Sequence, residues 1–210
     1  MSNFTYEFEE RNAKYETYEW DNTWIEHAND TDVPRVLYIG DSISCATRHD
    51  ATAISGNKIF FDGFGTSKGL DNPYFKDAIK IFIAQGPAKD AVIFNNGLHG
   101  WHLSDDEGYA SLYEDMVKFL LDEFKDIPVA IVLTTDLTDK ERGERVIARN
   151  KAALKIAEKY DLPVIDLHSV SVANKRLLSE DGVHFIHDGY VALANEILKR
   201  LAEISPKFAV

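Results

Sequence analysis

Three side chains that could carry out nucleophilic catalysis lie far apart in the chain. Ser42 comes shortly after the apolar segment Val36–Ile39, and His184 follows Asp181 near the other end. A serine hydroxyl becomes nucleophilic when an imidazole removes its proton, and a carboxylate can hold that imidazole in the correct tautomer. These residue types therefore predict ester hydrolysis, provided that the two segments meet in space.

The local sequence around each segment suits such a site. The apolar run predicts a buried strand, and Gly40 allows a tight turn that would place Ser42 at the carboxyl end of a sheet, where open α/β folds bind ligands. Asp181 can reach the ring of His184 within one turn, and Gly182 relaxes the backbone between them. Each segment taken alone also has a plain explanation, as a helix cap and as a surface histidine.

Short apolar segments alternate with amphipathic ones from residue 35 onward. Strand–helix alternation with nearly continuous apolar strands predicts a parallel sheet covered on both faces, which is a three-layer α/β/α sandwich. The predicted strands are Val36–Ile39, Lys58–Phe61, Ala91–Phe94, Val129–Thr134 and Val164–Leu167, and the predicted helices are Tyr109–Phe124, Glu141–Lys159 and Tyr190–Leu201.

Two further segments follow predicted strands and could stabilise a developing negative charge. Asn95 and Asn96 come directly after Ala91–Phe94, and an amide side chain is a common donor to an oxyanion. The glycines Gly63 and Gly65 follow the strand that ends at Phe61. The asparagine pair could equally be a simple turn, because Asn tolerates left-handed backbone geometry.

The chain resembles the SGNH (GDSL-type) esterases and lipases in four short blocks that occur in the family's order. The serine block is Gly40–Ile43 and the histidine block is Asp181–His184. The asparagine block is Ile93–Asn96, which lacks the family's leading glycine and trailing aspartate. The glycine block is best matched by Gly65–Leu70, and the resemblance spans about residues 35 to 204.

The resemblance implies a flavodoxin-like sandwich whose five-stranded parallel sheet has the strand order 2-1-3-4-5. It also implies a mechanism that needs no metal and no cofactor. Ser42 would attack an ester carbonyl, His184 would accept its proton, and Asp181 would orient the imidazole. Asp166, at the end of a predicted strand, is the alternative acid, but the short spacing from Asp181 to His184 favours Asp181.

The resemblance also assigns the groups that bind the oxyanion. The backbone N–H groups of Ser42 and Gly65 and the side chain of Asn95 would bind it, with Gly63 as the rival of Gly65. The asparagine block is altered, so the register of this assignment needs a test. If substitution of Asn96, and not of Asn95, lowers kcat, the side-chain donor is Asn96.

Candidate substrate-binding residues are Asp41 in the serine block and Trp101 and His102 after the asparagine turn. A flat aromatic ring suits a sugar or an acyl chain, although Trp101 could equally be a packing residue. His99 precedes His102 by one helical turn, close to two aspartates, which invites a metal hypothesis. The paired motifs of two-metal phosphoesterases are absent, so no metal is expected.

The first 33 residues form an arm that is rich in aromatic residues and has no clear period. Solvated tails avoid such residues, so this arm is expected to pack on the hydrolase domain of residues 34–210. The alternatives are that it forms a homo-oligomer contact or a wall of the substrate site.

Composition narrows the partners. The net charge is −12, which argues against nucleic acid and anionic membranes because both favour basic patches. The single cysteine, Cys45, cannot form an internal disulfide, and no signal peptide is recognisable, so a cytoplasmic location is predicted. The expected partner is a small-molecule or carbohydrate ester.

These observations together predict a serine esterase that acts on short-chain acyl esters, with O-acetyl groups favoured. A lysophospholipase or acyl-thioesterase of the same family is the enzymatic alternative. A non-catalytic binding module that kept the fold is the alternative from another class.

Overall fold

The structure, a computed structural model, describes residues 15–16, 18–103 and 107–210, and the aromatic residues among the first 14 positions lie outside this part. Strands and helices alternate as predicted, which confirms the α/β class. The strands are β1 (Asp21–Trp24), β2 (Arg35–Gly40), β3 (Phe60–Thr66), β4 (Ala91–Phe94), β5 (Val129–Val132) and β6 (Val164–Ile165), and the helices are α1 (Ser42–Ile54), α2 (Phe75–Ile83), α3 (Glu107–Glu123), α4 (Lys140–Lys159), α5 (Leu167–Ala173) and α6 (His187–Ile204).

The described strands form one mixed sheet of six strands in the order β1-β3-β2-β4-β5-β6. Strands β2 to β6 pair in parallel, and β1 pairs antiparallel with β3 at the edge. The prediction of a five-stranded, purely parallel sheet therefore missed β1. Its four residues are all exposed, so no apolar alternation marks them as a strand.

Strand β3 is longer than the sequence predicts. It runs from Phe60 to Thr66, so Gly63 and Gly65 lie inside the strand and do not follow it. The prediction ended this strand at Phe61 because an aspartate and two glycines are typical of a turn. In the structure, Asp62 can be buried because Arg35 and Lys89 pair with its charge. Strand β3 lies between β2 and β1 and forms hydrogen bonds with both.

Two hydrophobic cores cover the faces of the sheet. In β2, Val36 and Tyr38 face one core, and Leu37 and Ile39 face the other, as the period of two in a strand requires. The first core also takes the apolar residues of α1 and α6, and the second takes those of α2 and α3. Helices α1 and α6 therefore pack on the same face of the sheet.

Of the arm predicted for residues 1–33, the structure describes residues 15–16 and 18–33. In this part, β1 pairs with β3 at the edge of the sheet. Assembly into a homo-oligomer through this arm stays a prediction. Among the helices that the described residues form, none is both long and apolar enough to cross a bilayer.

A buried charge cluster joins the start of β2, the middle of β3 and the loop before β4. Asp62 Oδ1 lies 2.9 Å from Arg35 Nη1, and Asp62 Oδ2 lies 2.6 Å from Lys89 Nζ. The backbone N–H of Glu26 donates to the same carboxylate at 2.8 Å. Because the side chains of Arg35, Asp62 and Lys89 are almost fully buried, each charge depends on its partners for solvation.

We expect Asp62→Ala to lower the free energy of unfolding by about 3–5 kcal/mol, because it leaves two buried cations without their carboxylate. Urea unfolding measures this change. The matched control is Asp122→Ala, which removes an exposed carboxylate on α3 and should change stability by about 0.5 kcal/mol or less. Equal losses in both variants would contradict a structural role for the cluster.

Candidate active site

The turn between β2 and α1 presents Ser42 at the first position of the helix. Asp41 caps α1, and its Oδ1 accepts a hydrogen bond of 3.0 Å from the backbone N–H of Ile43. A Cβ on Gly40 would lie 2.7 Å from Ser44 Cβ, so only glycine allows the strand to turn this closely into the helix. The hydroxyl of Ser42 is therefore held at the N-terminal, partially positive end of α1.

A second turn, just before α6, presents the imidazole. The backbone N–H of Ser179 donates to the carbonyl oxygen of His184 at 2.7 Å, and that of Gly182 donates to the carbonyl oxygen of Ser179 at 3.0 Å. Gly182 has φ = 73°, and a Cβ there would lie 1.9 Å from Thr138 Oγ1. The backbone conformation and the close approach of Thr138 both require glycine at this position.

The structure brings the three predicted side chains into one hydrogen-bonded row. Nε2 of His184 lies 2.8 Å from Oγ of Ser42, although the two residues are 142 positions apart. Nδ1 of the same ring lies 2.6 Å from Oδ2 of Asp181. With Nδ1 bonded to a carboxylate, Nε2 is the nitrogen that can accept the serine proton.

The carboxylate of Asp181 is stabilised in its charged form. Burial by itself would raise its pKa, but hydrogen bonds lower the pKa well below the usual range. The backbone N–H of Val183, the ring of His184, the hydroxyl of Ser179 and the backbone N–H of His184 all donate to it, at 2.6 to 2.9 Å. Asp181 is thus a permanent negative charge beside the imidazole at neutral pH.

Asp166, the alternative acid, forms its hydrogen bonds with Ser169. It caps α5, and its two carboxylate oxygens accept hydrogen bonds from the backbone N–H and the hydroxyl of Ser169, at 2.9 and 2.6 Å. Of the two aspartates, Asp181 is the one bonded to the ring of His184.

The side chains of the two asparagines after β4 form hydrogen bonds with different partners. Nδ2 of Asn95 donates to the carbonyl oxygen of Val132 at 2.8 Å and to Oγ1 of Thr134 at 3.0 Å. An amide nitrogen has two hydrogens, and in this structure the two bonds of Asn95 go to Val132 and Thr134. Nδ2 of Asn96 donates to the carbonyl oxygen of Lys68 at 3.0 Å, which commits one hydrogen within the described part of the chain.

The two glycines of β3 are required by the packing of α1. A Cβ on Gly63 would lie 1.8 Å from Nη1 of Arg48, and a Cβ on Gly65 would lie 2.2 Å from Sγ of Cys45. The Cβ position of Gly65 is also 3.3 Å from the carbonyl oxygen of Asp41. Gly65 therefore lies against the turn that carries Ser42, whereas Gly63 lies against the guanidinium group of Arg48.

A cavity of about 310 Å³ opens beside Ser42, and its described lining residues are Trp20, Asp21, Asn22, Ser42 and Cys45. Burial, aided by Asp41, raises the pKa of the Cys45 thiol to about 11, although Arg48 opposes this effect. Cys45 is therefore a neutral lining group and not a competing thiolate.

No sequence pattern singles out the three arm residues of this lining, Trp20, Asp21 and Asn22. The aromatic content of the arm was the available signal, and it did not distinguish a wall of the site from ordinary packing.

Two of the residues expected to bind substrate, Asp41 and Trp101, are buried. Asp41 is buried as the cap of α1. Trp101 is also buried, and the guanidinium groups of Arg142, Arg145 and Arg149 lie 4.7 to 5.3 Å from the centre of its ring. Trp101 therefore fastens the loop after β4 to α4.

The histidines of the same loop bond to separate carboxylates. Nε2 of His102 lies 3.0 Å from Oδ2 of Asp71, and Nδ1 of His99 lies 3.0 Å from Oε1 of Glu16. Within the described residues, no group of three His, Cys, Asp or Glu side chains is arranged to hold a metal ion.

Comparison with known proteins finds similar solved structures. No family model matches the chain, and no curated protein matches it. Among solved structures, the acetyl xylan esterase AlAXEase is similar with a TM-score of 0.59 and 16% identity, over 79% of this chain and 98% of that chain.

Two bacterial structures give similar values. A member of the lipolytic protein G-D-S-L family from Veillonella parvula has a TM-score of 0.62 and 15% identity, over 80% of this chain and 97% of that chain. The C-terminal catalytic domain of the peptidoglycan O-acetyltransferase A of Streptococcus pneumoniae, determined with a methylsulfonyl adduct, has a TM-score of 0.63 and 16% identity, over 81% and 94%. Over about four fifths of its length, the chain has the fold of the SGNH (GDSL-type) hydrolases.

Proposed function

We propose that this protein is a serine esterase that hydrolyses short-chain acyl esters through an acyl-enzyme on Ser42. The observation that carries the proposal is the row of hydrogen bonds from Ser42 Oγ to His184 Nε2, at 2.8 Å, and from His184 Nδ1 to Asp181, at 2.6 Å. This is the geometry in which an imidazole acts as a general base toward a serine hydroxyl.

In the proposed mechanism Ser42 Oγ attacks the ester carbonyl carbon while His184 Nε2 takes its proton. The charge of Asp181 stabilises the imidazolium that forms. His184 then protonates the leaving alcohol, and the acyl group stays on Ser42. A water molecule, deprotonated by His184, repeats the attack and releases the acid. The mechanism uses no metal and no cofactor.

The oxyanion would be bound at the start of α1. The backbone N–H of Ser42 lies at the positive end of this helix, and the backbone of Gly65 lies against the same turn. We assign the side-chain donor to Asn96 in place of Asn95, because both amide hydrogens of Asn95 are engaged, by Val132 of β5 and by Thr134, two residues after that strand. Asn96 keeps one amide hydrogen beyond its bond to Lys68.

The proposed substrate is a small-molecule or carbohydrate ester with a short acyl group, O-acetyl being favoured. The cavity beside Ser42, at about 310 Å³, is at the small end of the range for ligand sites. Two of the similar structures are named for acetyl groups, as an acetyl xylan esterase and an O-acetyltransferase. A cytoplasmic location belongs to the proposal and is supported by the single cysteine.

Rates on p-nitrophenyl acetate, butyrate and octanoate, together with labelling by a fluorophosphonate, test this function. We expect Ser42 to label and kcat/KM to fall steeply as the acyl chain lengthens. Faster cleavage of octanoate would favour the alternative, a lysophospholipase or acyl-thioesterase. A protein that neither labels at Ser42 nor hydrolyses any of these esters would be a binding module.

Ser42→Ala and His184→Ala should each lower kcat by at least about 10⁴-fold, because the two groups act as a unit in one proton transfer. For the same reason, the double variant should lose no more activity than either single variant. Steady-state rates on p-nitrophenyl acetate measure this. Losses that multiply in the double variant would contradict a shared step.

Asn96→Ala should lower kcat about 10²–10³-fold with KM nearly unchanged, since an oxyanion donor acts in the transition state. Asn95→Ala is the matched comparison. It should mainly lower the free energy of unfolding, by about 1–3 kcal/mol, because Val132 and Thr134 lose a buried donor. The opposite pattern, with the kcat loss at Asn95, would return the oxyanion role to that residue.

Asp181 should make stability depend on acid pH. Because its pKa is lower in the folded protein than in the unfolded chain, the folded form binds fewer protons, so its contribution is full above about pH 5 and is lost as the pH falls. The stability difference between the wild type and Asp181→Asn should therefore shrink as the pH falls below about 4.

Urea unfolding at several pH values measures this difference. Ser179→Ala, which removes one of the hydrogen bonds to Asp181, should show a smaller acid-dependent difference from the wild type. A difference between wild type and Asp181→Asn that grows as the pH falls would contradict the lowered pKa.

A further inference from the structure

The cavity beside Ser42 has two walls of different origin. Ser42 and Cys45 line it from α1, and Trp20, Asp21 and Asn22 line it from the arm. The arm is therefore part of the site in space, although its residues are distant from the serine in sequence. We call these three arm residues the arm wall.

The backbone of Trp20 is fastened to the end of β3. Its N–H donates to Oγ of Ser67 at 2.9 Å, and its carbonyl oxygen accepts from the N–H of Ser67 and from Oγ1 of Thr66, each at 3.2 Å. These partners directly follow Gly65, the candidate oxyanion donor. The position of the arm wall is thus coupled to the strand that helps to form the site.

The indole ring of Trp20 is also fixed. Its Cζ3 atom lies 3.6 Å from the point that a Cβ on Gly65 would occupy, and the ring meets the ring of His99 edge to face with centres 5.9 Å apart. His99 is buried and bonds in turn to Glu16 of the arm. A ring held on several sides forms a rigid boundary that cannot easily move away from a longer ligand.

The polar members of the arm wall are paired with cations of the body. The carboxylate of Asp21 lies 2.6 and 2.7 Å from Nζ of Lys68, and Oδ1 of Asn22 lies 2.5 Å from Nη2 of Arg48. The negative charge of Asp21 is therefore balanced by Lys68, and the neutral amide of Asn22 adds no charge of its own. An indole beside a neutral amide and a paired carboxylate suits an uncharged group.

The catalytic geometry decides which part of the substrate meets this wall. In the proposed mechanism the leaving oxygen must come within hydrogen-bond reach of His184 Nε2, so the alcohol part lies on the side of the segment 179–186. No residue of that segment is among the described lining of the arm-side cavity. The acyl group is the part that remains for this cavity.

We propose that Trp20, supported by Asp21 and Asn22, is the residue that sets the acyl-chain length the enzyme accepts. This inference rests on the proposed esterase function and adds to it a specificity role for the arm. The indole is a rigid wall of the acyl cavity, so short acyl groups fit and longer ones meet the ring.

The test compares Trp20→Ala with Trp24→Ala, using kcat/KM on p-nitrophenyl acetate and hexanoate. Trp24 lies on the same arm, but it is 46% exposed, packs on His49 and is not part of the described lining. We expect the hexanoate-to-acetate ratio to rise at least about tenfold in Trp20→Ala, because each methylene that a pocket accepts is worth about 10-fold or more. The ratio should stay within about twofold of the wild type in Trp24→Ala.

An unchanged ratio in folded Trp20→Ala whose Ser42 still reacts with a fluorophosphonate would overturn the inference and leave the esterase function standing. A wild type that neither reacts with the probe nor cleaves either ester would overturn both. If Trp20→Ala does not fold by circular dichroism, Trp20→Phe replaces it. The smaller ring of Phe should give a rise in the same direction, and no rise there would also overturn the inference.

Discussion

The contact between His184 and Ser42 depends on the packing of α1 beside α6. Both helices bury apolar residues in the same core, including Ile43 and Ala51 of α1 and Leu193 and Ile197 of α6. Both also begin at the carboxyl edge of the parallel strands. Burial of these side chains, the dominant favourable term in folding, therefore brings together two turns that are 142 positions apart in the chain. The hydrogen bond from imidazole to hydroxyl is a consequence of that packing.

Close backbone approach then gives the site its precision. The tight turn at Gly40, the contact of Gly65 with Cys45 and the positive φ of Gly182 each leave no room for a side chain or no suitable backbone conformation for one. Since a displacement of about 1 Å costs a large factor in rate, such contacts would suit Ser42 and His184 to the catalytic roles proposed for them. The same contacts link the Asp181 turn to Thr138, in the loop between β5 and α4.

The arm connects the edge of the sheet to the cavity beside Ser42. It adds an antiparallel strand to β3, and its residues 20–22 complete the cavity beside the nucleophile. On the other side of the nucleophile turn, Trp101 and the arginines of α4 fasten the loop after β4, in which Asn96 lies. The two tryptophans thus have different roles. Trp20 lines the cavity, whereas Trp101 is buried in contact with three arginines.

The sequence by itself determined what depends on neighbouring residues. The apolar runs Val36–Ile39 and Ala91–Phe94 specify buried strands, and the residues of the Asp181–His184 block can bond to each other within a single turn. The tertiary structure decided what depends on distant partners. The four exposed residues of β1 form a strand because β3 offers an edge, and β3 continues through Asp62 because Arg35 and Lys89 balance its charge. The hydrogen-bond partners of Asn95 and Asn96 were likewise decided by the positions of Val132, Thr134 and Lys68, which no local pattern encodes.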